Sequence, residues 1–329
     1  MKSNEQTPFF DEATYNQDDD IKDDMQHDNL IDSDSEKNGI QNIIDEEMSE
    51  PELMFFCKDD PEATSLLKKC TKWASEENWT IMKTYLNSII DNNLTSSSPE
   101  RMINEQLFIK YFYLGICNFR TNDYQEALTN FSEAAKIHQN YQLQYNIALC
   151  NMKLGNLENA VFYLEGVTKK NKHFFFAYYN LIKIYLKKNN TNDAFLIYRD
   201  FSEIIKKEKD KEKFNDQTGL NSGNRMSVTS FNTLKLFYKI GAECLFAKQL
   251  YQECVYTILD ALKFNPEDAE IWFLYAKVFV MKKSFEFAIP LLKKALEIQP
   301  DYKEAKQLLE FLEKNVKWSK WSVCEYNTS

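Results

Sequence analysis

The sequence predicts an all-α protein built as a linear array of helix pairs, an α-solenoid. Its 329 residues include only seven Gly and seven Pro, and 43% of them are hydrophobic. This composition favours packed helices over a turn-rich β fold. Small residues also recur at a nearly constant sequence interval of 33 or 34, with one interval of 60: Ala127, Ala160, Ala194, Cys254 and Ala288. A period near 34 is typical of arrays in which each helix pair buries its apolar face against its neighbours.

The N-terminal segment, residues 1–60, differs in composition from the rest of the chain. It carries nineteen Asp and Glu against four Lys, a net charge of −15, so the remainder of the chain is net +5 within a total of −10. Such a segment has too few apolar residues to offset the entropy lost on ordering. Residues 1–60 are therefore predicted to be a disordered acidic arm. The body is not basic enough to predict nucleic-acid binding from its charge.

The periodicity divides residues 61–316 into repeats. The predicted units are a degenerate repeat at 63–98 and clearer repeats near 108–140, 141–174, 175–208, 235–268 and 269–302. An insertion is expected at 209–234, where a mixed-charge run is followed by a segment rich in Gly, Ser and Asn. An amphipathic capping helix is expected at 303–316 and a C-terminal tail at 317–329.

Within a repeat, particular residue types follow one another in a fixed order. The last repeat shows this order as Trp272, Tyr275, Ala276, Phe279, Ala288, Ala295 and Pro300. Much of the same order recurs from Tyr111 to Ala134. The pattern resembles the tetratricopeptide repeat family across roughly residues 61–316. This resemblance implies a right-handed superhelical α-solenoid whose first helices line a concave groove for peptide ligands.

The resemblance, combined with helical spacing, indicates which first-helix residues face this groove. The candidate partner-binding residues are Phe112, Ile116, Tyr145, Asn146, Leu149, Met152, Phe176, Tyr179, Asn180 and Lys183. Most of them are aromatic or apolar, which favours an apolar or amphipathic peptide segment of a partner protein. Asn146 and Asn180 are separated by one repeat period, and an amide group that both donates and accepts hydrogen bonds can hold a peptide backbone. The alternative is that the aromatic residues pack between repeats.

Sequence patterns for catalysis and metal binding are absent. There is no Gly-rich phosphate loop and no nucleophile elbow, and none of the three His has a partner at metal-ligand spacing. We therefore expect a non-enzymatic protein without a cofactor. Family members that hold the C-terminal tails of heat-shock chaperones use a Lys/Asn/Arg clamp. This chain has Phe112 and Ile116 at two clamp positions and matches only at Asn146, so such tails are not expected as ligands.

The sequence thus predicts a protein–protein interaction scaffold or adaptor. One alternative is a structural subunit of a larger cytoskeletal or ciliary assembly, held by its outer surface and the segment Trp318–Trp321. A second is a small-GTPase-linked regulator similar to oxidase activators, in which the repeats are also interrupted after the third clear unit. The chain has no apolar run near the length of a membrane span, and its N-terminus lacks the basic start and apolar core of a signal peptide. A cytoplasmic protein without a membrane span is expected, with a nuclear or ciliary location left open.

Overall fold

A computed structural model describes residues 61–89, 100–218 and 231–325 of the chain, with side chains for 61–89, 104–211 and 231–314. The predicted acidic arm at 1–60 lies outside the described residues, as do 90–99, 219–230 and 326–329. Within the described ranges there are thirteen helices and no strands. The helices are α1 Pro61–Ser75, α2 Trp79–Ser88, α3 Glu100–Arg120, α4 Tyr124–Ile137, α5 Tyr141–Lys153, α6 Leu157–Lys170, α7 Phe175–Lys187, α8 Thr191–Thr218, α9 Phe231–Ala247, α10 Tyr251–Phe264, α11 Ala269–Met281, α12 Phe285–Ile298 and α13 Lys303–Glu325.

The first twelve helices pack in pairs, and each pair also contacts the next one along the chain. The pairs are α1–α2, α3–α4, α5–α6, α7–α8, α9–α10 and α11–α12, and α13 packs on α12. Because contacts connect mainly neighbouring elements, the array grows along one direction, as in other helical repeat proteins. This confirms the prediction of an all-α, right-handed α-solenoid.

The turn inside each pair has the same backbone geometry throughout the array. One residue of each turn has a positive φ: Glu77, Asn122, Gly155, Asn189, Gln249 and Lys283. The N–H group of the following residue donates to the carbonyl oxygen five residues earlier, at 2.8–2.9 Å in all six turns. This bond closes the end of the first helix. From Asn122 to Lys283 the turn residues are spaced by 33, 34, 60 and 34, the same intervals that separate the small residues.

Small residues allow the two helices of a pair to approach closely. Ala127, Ala160, Ala194, Cys254 and Ala288 are all fully buried. On the facing helix of the first clear pair, a Cβ atom placed on Gly115 would lie only 2.6 Å from the ring of Phe131. The repeat period therefore reflects a packing requirement, because a larger side chain at these crossings would push the helices apart.

Two helices extend beyond the predicted repeats. The second helix of the third clear repeat, α8, continues through Thr218, so the first part of the predicted insertion at 209–234 is helical, and α9 already begins at Phe231. In this extension Lys209 Nζ donates to the Tyr238 hydroxyl at 2.7 Å, which joins α8 to α9. The last helix runs to Glu325, beyond the predicted capping helix at 303–316 and into the predicted tail at 317–329.

Candidate interaction surface on the first helices

The helices α3, α5, α7, α9 and α11 come first in their pairs, and we call the surface that they form the inner face. On α3, the predicted groove residues Phe112 and Ile116 are each only 3% exposed. The ring of Phe112 lies 5.8 Å from that of Phe108 and 6.0 Å from that of Phe131 on α4, measured between centroids. Phe112 therefore contributes to packing between the two helices of its pair.

Three of the four predicted residues on α5 are also buried. Tyr145, Asn146 and Leu149 are 5%, 8% and 3% exposed, whereas Met152 is partly exposed. The ring of Tyr145 packs edge-on against Phe174, which precedes α7, with 4.9 Å between the centroids. The aromatic residue that was predicted to meet a ligand thus packs against the next repeat.

The four predicted residues on α7 divide equally between buried and accessible positions. Phe176 and Asn180 are buried. The side-chain amide of Asn180 donates to the Tyr145 hydroxyl at 3.0 Å, a buried hydrogen bond that joins α7 to α5. Tyr179 and Lys183 are partly exposed, and the Lys183 ammonium lies 5.6 Å from the centroid of the Tyr179 ring.

Of the ten predicted site residues, only three have side chains that are accessible at the surface: Met152, Tyr179 and Lys183. A partner segment could reach the other seven only after the groups that cover them had moved. This burial does not agree with the expectation of an open apolar groove along α3, α5 and α7. Helical spacing indicates on which face of its helix a residue lies. It does not indicate how closely the neighbouring helices cover that face. That any of the ten residues binds a partner stays a prediction.

From α7 onward, the inner face carries charged side chains at a repeated position. Lys183 on α7, Glu243 on α9 and Lys277 on α11 are separated by sequence intervals of 60 and 34, which are the intervals of the repeat itself. All three are partly exposed, and α9 packs against both α7 and α11. We call these three residues the inner charged row.

A fourth charged residue on this face, Lys239 on α9, is held by carboxylates of the next repeat. Its ammonium lies 3.1 Å from an Asp268 oxygen and 2.5 Å from a Glu270 oxygen. Burial by itself would lower the pKa of Lys239, but the two carboxylates raise it above its ordinary value. Asp268 also accepts from the N–H groups of Glu270 and Ile271 as the N-cap of α11. Lys239 therefore helps to join α9 to α11 and is already neutralised.

The inner charged row lacks such neutralisation. None of its three side chains forms an ion pair or hydrogen bond with a residue in the described part of the chain. Burial raises the pKa of Glu243, although Lys239 and Lys183 counteract part of this effect. Burial lowers the pKa of Lys277, whose ammonium lies 4.7 Å from the centroid of Phe246 and 5.6 Å from that of Phe273. The row is thus a set of partly dehydrated charges that form no ion pair or hydrogen bond but act on one another, because Lys183 influences Glu243 and Glu243 influences Lys277.

The repeat period of the sequence also identifies this row. The predicted site residues all lie in the three clear repeats before the insertion. Carrying Lys183 forward by the repeat intervals of 60 and 34 leads directly to Glu243 and Lys277. Because the insertion lengthens one interval to 60, the equivalent residues of the later repeats are found only when this longer interval is included.

The opposite side of the array, formed by the second helices, carries apolar residues in a similar register. Phe162 on α6, Leu196 on α8 and Tyr256 on α10 are separated by the same repeat intervals, 34 and 60. Their side chains are 72%, 43% and 55% exposed. We call these three the outer apolar row. Because they recur at one repeated position, these exposed apolar side chains form a candidate contact surface.

The described ranges contain neither a candidate metal-binding cluster nor a candidate membrane-spanning helix. Among residues 61–89, 100–218 and 231–325, no group of three or more His, Cys, Asp or Glu side chains could hold a metal ion. None of the helices described there is long and apolar enough to span a bilayer. The insertion residues 219–230, on which the GTPase-linked alternative partly depends, lie outside these ranges.

Comparisons with known proteins agree with the helix-pair geometry. A family model described as tetratricopeptide repeat matches residues 118–171 and 257–303. No curated protein matches the sequence. Among solved structures, the crystal structure of the APC/C hetero-tetramer Cut9–Hcn1 is 15% identical with a TM-score of 0.55, and the match covers 84% of this chain and 46% of that one. The chain thus spans less than half the length of that relative.

A second similar structure is the C-terminal part of a TPR repeat-containing protein from Cytophaga hutchinsonii. It is 12% identical with a TM-score of 0.52, and the match covers 72% of this chain and 82% of that one. At such identities the likeness shows the fold alone. Together, the family match, the similar structures and the six equivalent turns confirm the predicted resemblance: the chain has the tetratricopeptide-repeat fold, and the family model matches it at residues 118–171 and 257–303.

Proposed function

We propose that this chain is a non-enzymatic protein–protein interaction scaffold that binds a segment of a partner on its inner face between α5 and α11. Repeat folds of this kind serve protein recognition by presenting an extended surface. The observation that carries the proposal is the inner charged row, whose three partly exposed side chains share one repeat position. These side chains form no ion pair with an opposite charge among the described residues, and the Lys277 ammonium contacts only the faces of Phe246 and Phe273.

The accessible residues predicted from the sequence lie at the edge of the same area. Tyr179 and Lys183 belong to α7, next to Glu243 on α9, and Met152 lies on the preceding first helix. A segment that crosses α7, α9 and α11 would therefore meet both aromatic and charged groups, as expected for an amphipathic partner. In this proposal the buried residues on α3 and α5 hold the repeats together and support the binding surface from behind.

The proposal can be tested by selecting ligands on the full-length chain. A displayed library of random twelve-residue peptides would be selected on the wild-type protein, and enriched peptides would then be measured against Met152→Ala and Tyr179→Ala. We expect both variants to weaken binding, because each removes accessible surface from the inner face. The matched control is Phe162→Ala, which removes an exposed aromatic ring from the outer apolar row. Peptides that lose binding only with Phe162→Ala would contradict the proposal.

A second candidate function is that of a structural subunit held by its outer surface. The observation that favours it is the outer apolar row, because three large apolar side chains at one repeat position suit a flat contact with another protein. Replacing Phe162, Leu196 and Tyr256 together by Ser would then abolish assembly and leave peptide binding on the inner face unchanged. Sedimentation of the native complex distinguishes the two functions. A cytoplasmic location stays a proposal from the sequence for both.

A further inference from the structure

The arrangement of charge on the inner face indicates the chemistry of the segment that it would bind. Along the first helices from α7 to α11, the order is a lysine on α7, a glutamate on α9 and a lysine on α11. We propose that Lys183, Glu243 and Lys277 together recognise an extended partner segment with two acidic residues separated by a basic residue. This inference rests on the proposed function and names the class of partner segment.

The distances between helices set the spacing of the two acidic residues. Neighbouring packed helices are about 8 to 10 Å apart, so Lys183 and Lys277, two helices apart, are separated by about 16 to 20 Å. An extended chain advances about 3.3 Å per residue and its side chains alternate between two faces, so two side chains on one face that meet these lysines lie about six residues apart. The basic residue that meets Glu243 must share that face and therefore lies about two or four residues after the first acidic residue, near the midpoint. The recognised order is thus acid, base and acid within about seven residues.

Each lysine of the row is held in a position that suits an incoming carboxylate. Lys277 lies near the rings of Phe246 and Phe273, and Lys183 lies near the ring of Tyr179. These ring contacts hold the ammonium groups on the surface and leave their hydrogen-bond donors available, since an aromatic face supplies no carboxylate. Because both lysines are partly dehydrated before binding, an incoming carboxylate meets less screening than it would at a fully exposed side chain.

Glu243 provides selectivity against a segment that is acidic throughout. Its carboxyl group lies between the two lysines of the row, and an acidic residue placed opposite it would be repelled. The neighbouring Lys239 is paired with Asp268 and Glu270, and together with Lys183 it counteracts the effect of burial on the pKa of Glu243, which favours the charged carboxylate that this repulsion requires. A surface with three free lysines would attract any acidic segment, whereas this row favours one charge order over another of the same net charge.

The experiment is the selection on the full-length chain described above, followed by binding measurements on defined peptides. The first readout is the enriched charge order, which we expect to be acid, base and acid with the acidic residues about six apart. The second compares two synthetic twelve-residue peptides of identical composition, one with this order and one with the two acidic residues adjacent. Fluorescence anisotropy at low and high salt gives their affinities. We expect the ordered peptide to bind more tightly, and the difference to shrink at high salt.

Variants identify the residues responsible for this preference. Lys183→Gln and Lys277→Gln should each weaken binding of the ordered peptide by roughly three- to tenfold. The matched controls are Lys187→Gln on α7 and Lys282→Gln after α11, which remove the same charge from exposed positions. Glu243→Gln preserves the shape of the side chain and should remove the preference for a basic residue at the midpoint. All variants are first compared by circular dichroism and thermal unfolding, so that loss of fold is not read as loss of binding.

Three outcomes would overturn the inference. Equal weakening by the inner lysines and the control lysines would show general charge attraction. Enriched peptides that depend on Tyr179 but lack the acid, base and acid order would leave the proposed function standing and reject this inference alone. If no enriched peptide depends on the inner face, both proposals fail together. A preserved midpoint preference in Glu243→Gln would also reject the assigned role of Glu243.

Discussion

Replacing Gly115 by Ala tests whether close helix crossing limits the packing of a repeat. A Cβ atom at Gly115 would lie 2.6 Å from Cδ1 and Cε1 of Phe131 and 2.9 Å from its Cγ. Carbon atoms in contact are ordinarily about 3.5 to 4.0 Å apart, so the ring would have to move. Phe131 is only 1% exposed, and its ring packs against Phe112. A shift of this ring therefore disturbs the neighbouring core as well.

Two opposing effects determine the change in the free energy of unfolding. Ala is favoured over Gly in a helix interior by about 0.8 to 1.0 kcal/mol. Overpacking a well-packed core costs about 1 to 3 kcal/mol. Gly166 in α6 isolates the first effect, because a Cβ atom there would meet only Gln144 Oε1 at 3.6 Å, an ordinary contact distance. We expect Gly166→Ala to be stabilised by up to about 1 kcal/mol, and Gly115→Ala to be about 1 to 3 kcal/mol less stable than Gly166→Ala.

Thermal unfolding of the full-length variants, followed by far-UV circular dichroism, measures this difference. Since 1 kcal/mol corresponds to about 2 to 4 °C in a domain of about 150 to 250 residues, the two melting temperatures should differ by about 2 to 12 °C. Arrays of repeats need not unfold in one step, so amide hydrogen exchange in α3 and α4 serves as a local measurement. Equal stabilisation in both variants would refute the reasoning, because the Phe131 ring would then move without cost.

Three further predictions concern ionisable side chains. Burial raises the pKa of Glu243 above its ordinary value of 4.5. The carboxyl group of Glu243 therefore holds its proton more tightly in the folded state than in the unfolded state. As a result, the stability of the fold falls as the pH rises from 4.5 through the raised pKa. The gain in melting temperature from Glu243→Gln should therefore grow from acid to neutral pH, with Glu253→Gln on an exposed position as control. Lys239→Met should destabilise the chain by about 1 to 3 kcal/mol, because it leaves the carboxylates of Asp268 and Glu270 without their lysine. The control Lys263→Met removes a lysine from an exposed ion pair and should change stability by less than about 0.5 kcal/mol. Urea unfolding of both variants measures the difference. Burial raises the pKa of five thiols to about 12: Cys70, Cys117, Cys150, Cys244 and Cys254. Mass spectrometry after alkylation at pH 8 should show reaction at these thiols about a thousandfold slower in the native chain than in urea.

The repeat architecture was predictable because it depends on local packing. A small residue at each crossing is required wherever two helices approach closely, and this requirement is visible in the sequence as a period of 33 or 34. The turn geometry is less visible, because Glu77, Gln249 and Lys283 adopt a positive φ that favours Gly or Asn. Only Gly155 and the two turn asparagines, Asn122 and Asn189, match the residue type that the turn prefers.

Exposure of the inner face could not be predicted in the same way. Helical spacing correctly identifies Asn180 as a first-helix residue but does not reveal that its amide is bonded to the hydroxyl of Tyr145. That contact joins two successive repeats and depends on the distance between two helices. Burial of Phe112 likewise depends on how Phe131 fills the space beside Gly115. Contacts between elements, rather than the pattern within one element, decided which predicted residues remain accessible.

The inner face therefore has two parts with different physical roles. At the repeat position of the inner charged row, the two preceding repeats carry Ile116 and Leu149, which are buried. Covering an apolar residue at this position with neighbouring helices stabilises the fold. A lysine or glutamate there resists full burial, because its charge must stay hydrated or paired. Charge at this position thus keeps the surface between α7 and α11 accessible. The charged residues that keep this part of the inner face accessible also provide the groups with which a partner segment would be recognised.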